Sequence, residues 1–168
     1  LAQPLTGWLG HAAPFEFSPE YEPAPGVARV LCGTPSILSM ASRDAALQVF
    51  DGIDMGEVRA KSMRLGQLFI DLVEQRCGGY GFSVVCPVDA EERGSQISLG
   101  HAEGYRIMRA LADRGVVGDF RAPNVLRFGI TPLYQRHIDI WDAVETMREI
   151  MENEAWRDPA YERRDLVT

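Results

Sequence analysis

The sequence lacks the usual markers of metal binding, disulfide bonding and membrane insertion. None of its three cysteines stands in a C-x-x-C pair, so neither a zinc site nor a disulfide framework is indicated. Reduced thiols favour a cytoplasmic location. No two of its three histidines have metal-ligand spacing, so no metal site is predicted. Its apolar runs fall far short of the roughly 20 residues that a membrane-spanning helix needs, so no membrane-spanning helix is predicted.

Positive charge is also scarce. Seventeen basic against 24 acidic side chains give a net charge of −7, which disfavours a nucleic acid or an anionic membrane as partner. The nucleotide, metalloprotease and hydrolase motifs G-x-G-x-x-G, GxxxxGK[ST], H-E-x-x-H and G-x-S-x-G do not occur. What is present is a 168-residue chain with 46% hydrophobic residues, enough for one core and a smaller second lobe.

The first third of the chain is predicted to be largely irregular. Prolines and glycines, as in "SPEYEPAPG", interrupt regular structure up to about residue 35, apart from a short strand predicted at residues 27–33. A helical pattern follows Pro35. The stretch "DMGE" at residues 54–57 has the spacing of a capping box and predicts the start of a long helix that ends near Arg76.

Beyond "CGGYG" the predicted elements are shorter. Four segments are typical of strands: "FSVVC", "SQISLGH", "VVGDF" and "NVLRFGI". Two segments are typical of helices: "AEGYRIMRALADRG" and "HIDIWDAVETMREIMEN". The tail "EAWRDPAYERRDLVT" is predicted to be extended. The pattern indicates a small, mostly antiparallel sheet with helices, which the long helix connects to a different body.

Three residues are candidates for ligand binding, and each also has an ordinary structural interpretation. Arg127 lies in an apolar strand, where it either faces water or holds an anion in a cleft. Thr34 in "CGTP" either caps the following helix or accompanies a helix N-terminus that receives a phosphate. Trp8 in "GWLGH" is either packed or donates its indole N–H to a ligand.

The segments "GWLGH", "CGTP", "ERGSQISL" and "RGVVGDFRAPNVLRFGITPLY" resemble the C-terminal portion of kynureninases. These are pyridoxal 5'-phosphate enzymes of the aspartate-aminotransferase-like α/β fold. The similarity extends from about residue 5 to residue 152. It implies that residues 1–53 are the end of the large cofactor-binding domain and residues 54–79 are a connecting helix. Residues 80–168 are then a C-terminal α+β small domain with a mostly antiparallel sheet.

The resemblance also implies roles for the three candidates. Trp8 and Thr34 would bond the phosphate of pyridoxal 5'-phosphate across a homodimer interface. Arg127 would grip the α-carboxylate of L-kynurenine, because a planar guanidinium fixes a carboxylate through two bonds. The implied reaction is hydrolysis of L-kynurenine to anthranilate and L-alanine in tryptophan degradation, with 3-hydroxykynurenine as an alternative substrate.

Two functional groups of that family have no match in this sequence. The family attaches its cofactor to a lysine just upstream of "GWLGH" and pairs the pyridine nitrogen with an aspartate. The only lysine here, Lys61, lies in "EVRAKSMRLG" and is expected to be a solvated surface residue. The chain, which opens on "LAQPLTGW", is therefore expected to be a C-terminal part that has no catalytic residue of its own. It would need the N-terminal part of the same enzyme as its partner.

Two alternatives remain open. The first is another enzyme of the same fold branch, such as a cysteine desulfurase-like protein, which would need a reactive cysteine on a mobile loop. The second is a stand-alone α+β binding module without catalysis, which the missing lysine would also suit.

Overall fold

The structure is a computed structural model that describes residues 4–163, and the chain divides into two compact units, Leu1–Gly52 and Ile53–Thr168. Its helices are α1 (Ile37–Leu47), α2 (Met55–Cys77), α3 (Gly104–Ala112) and α4 (His137–Glu152). Its strands are β1 (Ser83–Val84), β2 (Gln96–Gly100), β3 (Asp119–Arg121) and β4 (Val125–Gly129). Across residues 4–163, no helix combines the length and the apolarity that crossing a membrane requires.

The first unit is irregular apart from α1 and short 3-10 turns. The strand predicted over residues 27–33 is wrong, because Gly26–Val30 forms a 3-10 helix instead. Gly26 starts this turn with a φ of +59°, a conformation that favours glycine, and the Leu31 N–H closes it by donating to Ala28 O. The described part of the first unit contains no strand with which this segment could pair.

The predicted long helix is confirmed as α2. Asp54 caps its N-terminus, since the Asp54 Oδ1 accepts hydrogen bonds from the N–H groups of Gly56 at 2.6 Å and Glu57 at 3.1 Å. One face of α2 is apolar and is buried against the rest of the second unit. The buried apolar side chains of α2 are Leu65, Phe69, Ile70, Leu72, Val73 and Cys77.

The four strands form one antiparallel sheet in the order β1-β2-β4-β3, which confirms the predicted α+β organisation of the second unit. Leu126 of β4 pairs with Leu99 of β2, and Phe128 pairs with Ile97. These four side chains are buried and point to one face, against which α2 packs. The Phe128 ring lies 5.0 Å from the ring of Phe69 on α2. One face of the sheet is therefore the core of this unit.

The described part of the C-terminal tail is folded back rather than extended, contrary to expectation, and residues 164–168 of the predicted tail lie outside the described residues. It forms 3-10 turns at Ala155–Arg157 and Pro159–Tyr161. Arg106 of α3 holds the first turn, because its guanidinium donates to Trp156 O at 3.1 Å and lies 5.5 Å from the centre of the Trp156 ring. Arg106 is thus one of the side chains through which the tail docks on α3, and the Tyr161 hydroxyl, which donates to Asp113 Oδ2 at 3.0 Å, is another.

Leu126→Ala should lower the free energy of unfolding by about 2–5 kcal/mol, because the side chain is fully buried in the sheet core and its removal leaves a cavity. Val117→Ala is the matched control, since Val117 is 83% exposed. It should change the free energy of unfolding by no more than about 0.5 kcal/mol. Urea unfolding followed by circular dichroism measures both, and equal small losses would contradict the packing described.

Candidate functional site

Arg127 lies on the face of the sheet opposite the core. Because side chains of a strand alternate, the burial of Leu126 and Phe128 directs Arg127 to the other face. There it stands between Ser98 of β2 and Asp119 of β3, each directly opposite it in the strand register. Its side chain is 30% exposed. The guanidinium is therefore half-buried, fixed from both sides and still open to solvent.

Asp119 is the ionic partner of Arg127. The Nη2 of Arg127 donates to Asp119 Oδ2, and the Nη2 of Arg121 lies 3.1 Å from the same oxygen. Arg121 is more exposed than Arg127, at 62% of its side chain. The group of two guanidinium cations and one carboxylate carries a net charge of +1. This outer face of β3 and β4 can therefore receive one more anion.

Asp119 was not identified from the sequence as a site residue. It stands eight positions before Arg127, and nothing in that spacing alone places the two side chains together. The signal is the pair of adjacent predicted strands with a short connection that contains Pro123. Once β3 and β4 pair as an antiparallel hairpin, residues 119 and 127 are direct neighbours.

Trp8 and Thr34 lie on chain segments that pack against each other. A Cβ added to Gly7 would stand 1.6 Å from Cys32 O, and one added to Gly10 would stand 2.7 Å from Arg29 O. Only glycine permits these close backbone approaches. The first approach places Gly7, next to Trp8, against Cys32, which stands two positions before Thr34. "GWLGH" and "CGTP" are therefore parts of one local structure.

Both side chains remain available for a ligand. Trp8 is 49% exposed, and its ring meets the Phe15 ring edge-on at 5.6 Å. Thr34 is exposed and does not cap α1, because Ser36 is the N-cap and its hydroxyl accepts from the Ser39 N–H at 3.5 Å. The capping interpretation of Thr34 is therefore wrong, and an indole N–H and a hydroxyl are left as donors.

Lys61 is not the solvated surface residue expected from the sequence. Its side chain is half-buried, and its Nζ donates to Pro132 O at 2.6 Å. This bond ties α2 to the segment that follows β4. Lys61 does not fit the role of a lysine that holds a cofactor covalently, because its amine is engaged in a structural hydrogen bond.

A second guanidinium of this unit, Arg93 in "ERGSQISL", is more deeply buried than Arg127. It is 5% exposed and donates through Nη1 to Pro87 O at 2.8 Å and to Val88 O at 2.7 Å. These carbonyl oxygens satisfy the cation without a carboxylate, and the bonds fix the loop between β1 and β2. Its role is to shape this loop.

The two histidines with hydrogen-bond partners are structural. The N–H of Ala13 donates to His11 Nδ1 at 2.9 Å, so the proton is on Nε2, which donates to Glu20 O at 3.0 Å. His101 has the same arrangement, with Glu103 N–H on Nδ1 and Nε2 on Tyr80 O. Within residues 4–163, no three His, Cys, Asp or Glu side chains are grouped to hold a metal ion.

The cysteines differ in their surroundings. Cys77 is buried at the end of α2, and burial, aided by the negative charge of Glu145, raises the pKa of its thiol to about 11. Cys86 is half-buried, and its Sγ accepts from the Ser98 N–H. Cys32 is exposed in the loop before α1 rather than at a strand end. Cys77, at least, is held as an unreactive neutral thiol.

The second unit has the fold of the C-terminal small domain of pyridoxal 5'-phosphate enzymes, an α+β domain with a four-stranded antiparallel sheet. Residues 58–147 match the family described as the kynureninase C-terminal domain. This match covers more than half of the chain and includes Arg127 and Asp119. The chain belongs to the kynureninase C-terminal domain family, which confirms the resemblance found in the sequence.

Curated relatives match over nearly the whole chain. Kynureninases from Burkholderia mallei (strain SAVP1) and Burkholderia pseudomallei (strain K96243) are 52% identical over 166 residues, which is 99% of this chain. A kynureninase from Pseudomonas fluorescens is 46% identical over the same length. In each case the matched region is 40% of the relative, so the chain spans less than half the length of these proteins.

Cys77 should resist alkylation in the folded protein, because a buried thiol with a pKa of about 11 is almost entirely protonated at pH 8. Treatment with iodoacetamide at pH 8, followed by mass spectrometry of peptides, should show Cys32 modified and Cys77 unmodified. Unfolding in guanidinium chloride should make both react. Rapid modification of Cys77 in the folded protein would contradict its assigned burial.

Proposed function

We propose that the chain is the C-terminal part of a kynureninase, which hydrolyses L-kynurenine to anthranilate and L-alanine with pyridoxal 5'-phosphate as cofactor. The observation that carries the proposal is Arg127, a guanidinium held in a fixed row of three strands, in a group of three charged side chains whose net charge is +1. The identity of 52% with kynureninases supports the same function. The complete enzyme would be a cytoplasmic homodimer.

The proposed role of Arg127 is to bind the α-carboxylate of the substrate. A guanidinium presents donors in a plane, so a carboxylate bound by two of them is fixed in both position and orientation. Ser98 and Asp119 flank Arg127 on the neighbouring strands and limit its movement. Holding a substrate in the reactive orientation lowers the barrier of the chemical step, because the entropy cost is met on binding.

Trp8 and Thr34 suit the proposed role of holding the cofactor phosphate. Both are exposed, neither side-chain donor has a hydrogen-bond partner within residues 4–163, and their segments pack together at Gly7 and Cys32. When bound, pyridoxal 5'-phosphate supplies an electron sink for the cleavage of the substrate bond. Lys61 is engaged with Pro132 O, so the lysine that attaches the cofactor is proposed to belong to another part of the complete protein.

The exposed apolar surface of the first unit suits a contact with the rest of the large domain or with a second subunit. No side chain of α1 is buried, although the helix carries several large apolar residues. Those that are at least half exposed on α1 are Ile37, Leu38, Met40 and Leu47. An apolar surface of this kind marks a contact with another protein surface. We propose that this unit ends the large cofactor-binding domain and that Trp8 and Thr34 reach a cofactor at the interface of two subunits.

Arg127→Ala in the complete enzyme should lower kcat/KM for L-kynurenine about a hundredfold or more. A charge-assisted pair of two hydrogen bonds contributes about 3 kcal/mol, and each 1.36 kcal/mol is a factor of ten in rate. Arg127→Lys should recover only part of this loss, because an ammonium cannot reproduce the planar donor pair. Steady-state kinetics of anthranilate release measures both variants.

The affinity for pyridoxal 5'-phosphate is the control for Arg127→Ala. It should stay near that of the wild type, since the proposed phosphate donors are Trp8 and Thr34. An unchanged kcat/KM for Arg127→Ala would refute the carboxylate role, and Arg121 would then be the next cation to test.

Trp8→Phe in the complete enzyme should weaken the binding of pyridoxal 5'-phosphate about tenfold. The change keeps an aromatic ring but removes the indole N–H, and a hydrogen bond to a charged group contributes about 1.5–3 kcal/mol. Trp141→Phe is the matched control, because Trp141 is similarly exposed, at 41%, and lies on α4. Fluorescence titration of the apoenzyme gives both constants. Equal affinities of the two variants would exclude Trp8 as a phosphate donor.

A further inference from the structure

The ion pair between Arg127 and Asp119 leaves one donor and one acceptor unused inside it. The Nε of Arg127 and the Oδ1 of Asp119 are both buried, and neither has a hydrogen-bond partner within residues 4–163. The other atoms of the pair, Nη2 and Oδ2, are already in contact. A buried polar atom without a partner is unfavourable. The unused N–H and the unused oxygen complement each other, and a side-on pair of two hydrogen bonds between the two side chains would use both.

We propose that Asp119 is a positioning residue that holds the Nε–Nη2 edge of Arg127 and thereby directs the opposite edge, Nη1 and Nη2, to the substrate carboxylate. The inference rests on the proposed function. A guanidinium has five N–H groups, so one carboxylate can occupy its side while another meets its end. Nη1 has no hydrogen-bond partner within residues 4–163. Unlike Nε, it is not buried, so it is open to solvent.

The strand register makes Asp119 suitable for this role. β3 pairs with β4 so that Asp119 is directly opposite Arg127, and side chains in such pairs start about 5 Å apart. Gly118 permits the close approach of the two strands, because a Cβ there would stand 2.8 Å from Arg127 O. The carboxylate is thus carried by a backbone that cannot move away from Arg127 without breaking the hairpin.

Arg121 keeps Asp119 from neutralising Arg127. Its Nη2 lies 3.1 Å from Asp119 Oδ2, so one carboxylate is shared by two cations. The net charge of the three side chains stays at +1. Without Arg121, the pair of Asp119 and Arg127 would be neutral and would attract an incoming carboxylate less. The arrangement therefore fixes the guanidinium and preserves its attraction for an anion.

A purely structural ion pair is the alternative, and it predicts different behaviour. Asp119 is 36% exposed and Arg127 is 30% exposed, and pairs this open to solvent contribute little to stability. If the pair only supported the fold, Asp119→Asn would weaken the binding of every ligand of the site to a similar extent. If Asp119 positions Arg127, only ligands that carry the α-carboxylate should be affected.

The test uses Asp119→Asn in the complete holoenzyme. We expect KM for L-kynurenine to rise about tenfold while kcat changes by no more than about threefold. The reason is that a guanidinium oriented only part of the time lowers the apparent affinity, whereas the complex, once formed, is the same. The inhibition constant of an unreactive kynurenine analogue with an α-carboxamide in place of the carboxylate should stay within about twofold of the wild type. Asp142→Asn, which removes an exposed carboxylate of α4, is the control and should change neither value.

A double mutant separates failure of this inference from failure of the proposed function. Asp119→Asn should have no further effect in the Arg127→Ala background, since the residue acts through Arg127. If Arg127→Ala lowers kcat/KM but Asp119→Asn leaves KM unchanged, the positioning role is wrong and the proposed function stands. If Arg127→Ala has no effect, the carboxylate role of Arg127 and the positioning role of Asp119 are both wrong. The proposed function itself fails only if the wild-type holoenzyme does not hydrolyse L-kynurenine.

Arg121→Gln provides a second variant that does not depend on the folding of Asp119→Asn, since Arg121 is largely exposed. It should raise KM for L-kynurenine about threefold and leave the carboxamide analogue unaffected, because Asp119 then neutralises Arg127. Equal weakening of both ligands by either variant would overturn the inference.

Discussion

The register of β4 between β2 and β3 is the constraint on which the site depends. Burial of Leu126 and Phe128 against Leu99 and Ile97 fixes this register, because a slip by one residue would expose both side chains. The same alternation directs Arg127 to the opposite face, in line with Ser98 and Asp119. The orientation of a polar site is therefore determined by apolar packing on the other side of the sheet, and a change in the core would displace the guanidinium without touching it.

The parts of the fold that could be predicted from the sequence are those with local causes. The start of α2 follows from the Asp54 cap, and its buried face follows from a 3.6-residue period. The parts that could not be predicted depend on distant partners. The tail is held by Arg106, some 50 positions before it, and Lys61 is held by a carbonyl oxygen 71 positions after it. Polarity alone indicates solvent for both, and only the tertiary contacts show otherwise.

The candidate site shows the same division. Arg127 could be singled out because a cation in an apolar strand is unusual, and the family resemblance then assigned it a role. Asp119 could not be singled out, since it becomes a neighbour of Arg127 only when β3 and β4 pair. The contact between Gly7 and Cys32 could not be predicted either, because the only sequence signal of a close approach of two backbones is a glycine. A single residue with unusual neighbours can therefore be identified from the sequence, whereas the residues that position it can be identified only once the fold is known.

Four groups of this chain that could serve as acids, bases or nucleophiles are committed to structure. The rings of His11 and His101 each use both nitrogens in hydrogen bonds, the amine of Lys61 is bound to a carbonyl oxygen, and the thiol of Cys77 is held neutral by burial. The outer face of the sheet instead presents a guanidinium, a group that binds anions through its N–H donors. A domain built in this way is suited to recognition of a carboxylate by a permanent charge. Proton transfers in the proposed reaction would then fall to groups outside this domain.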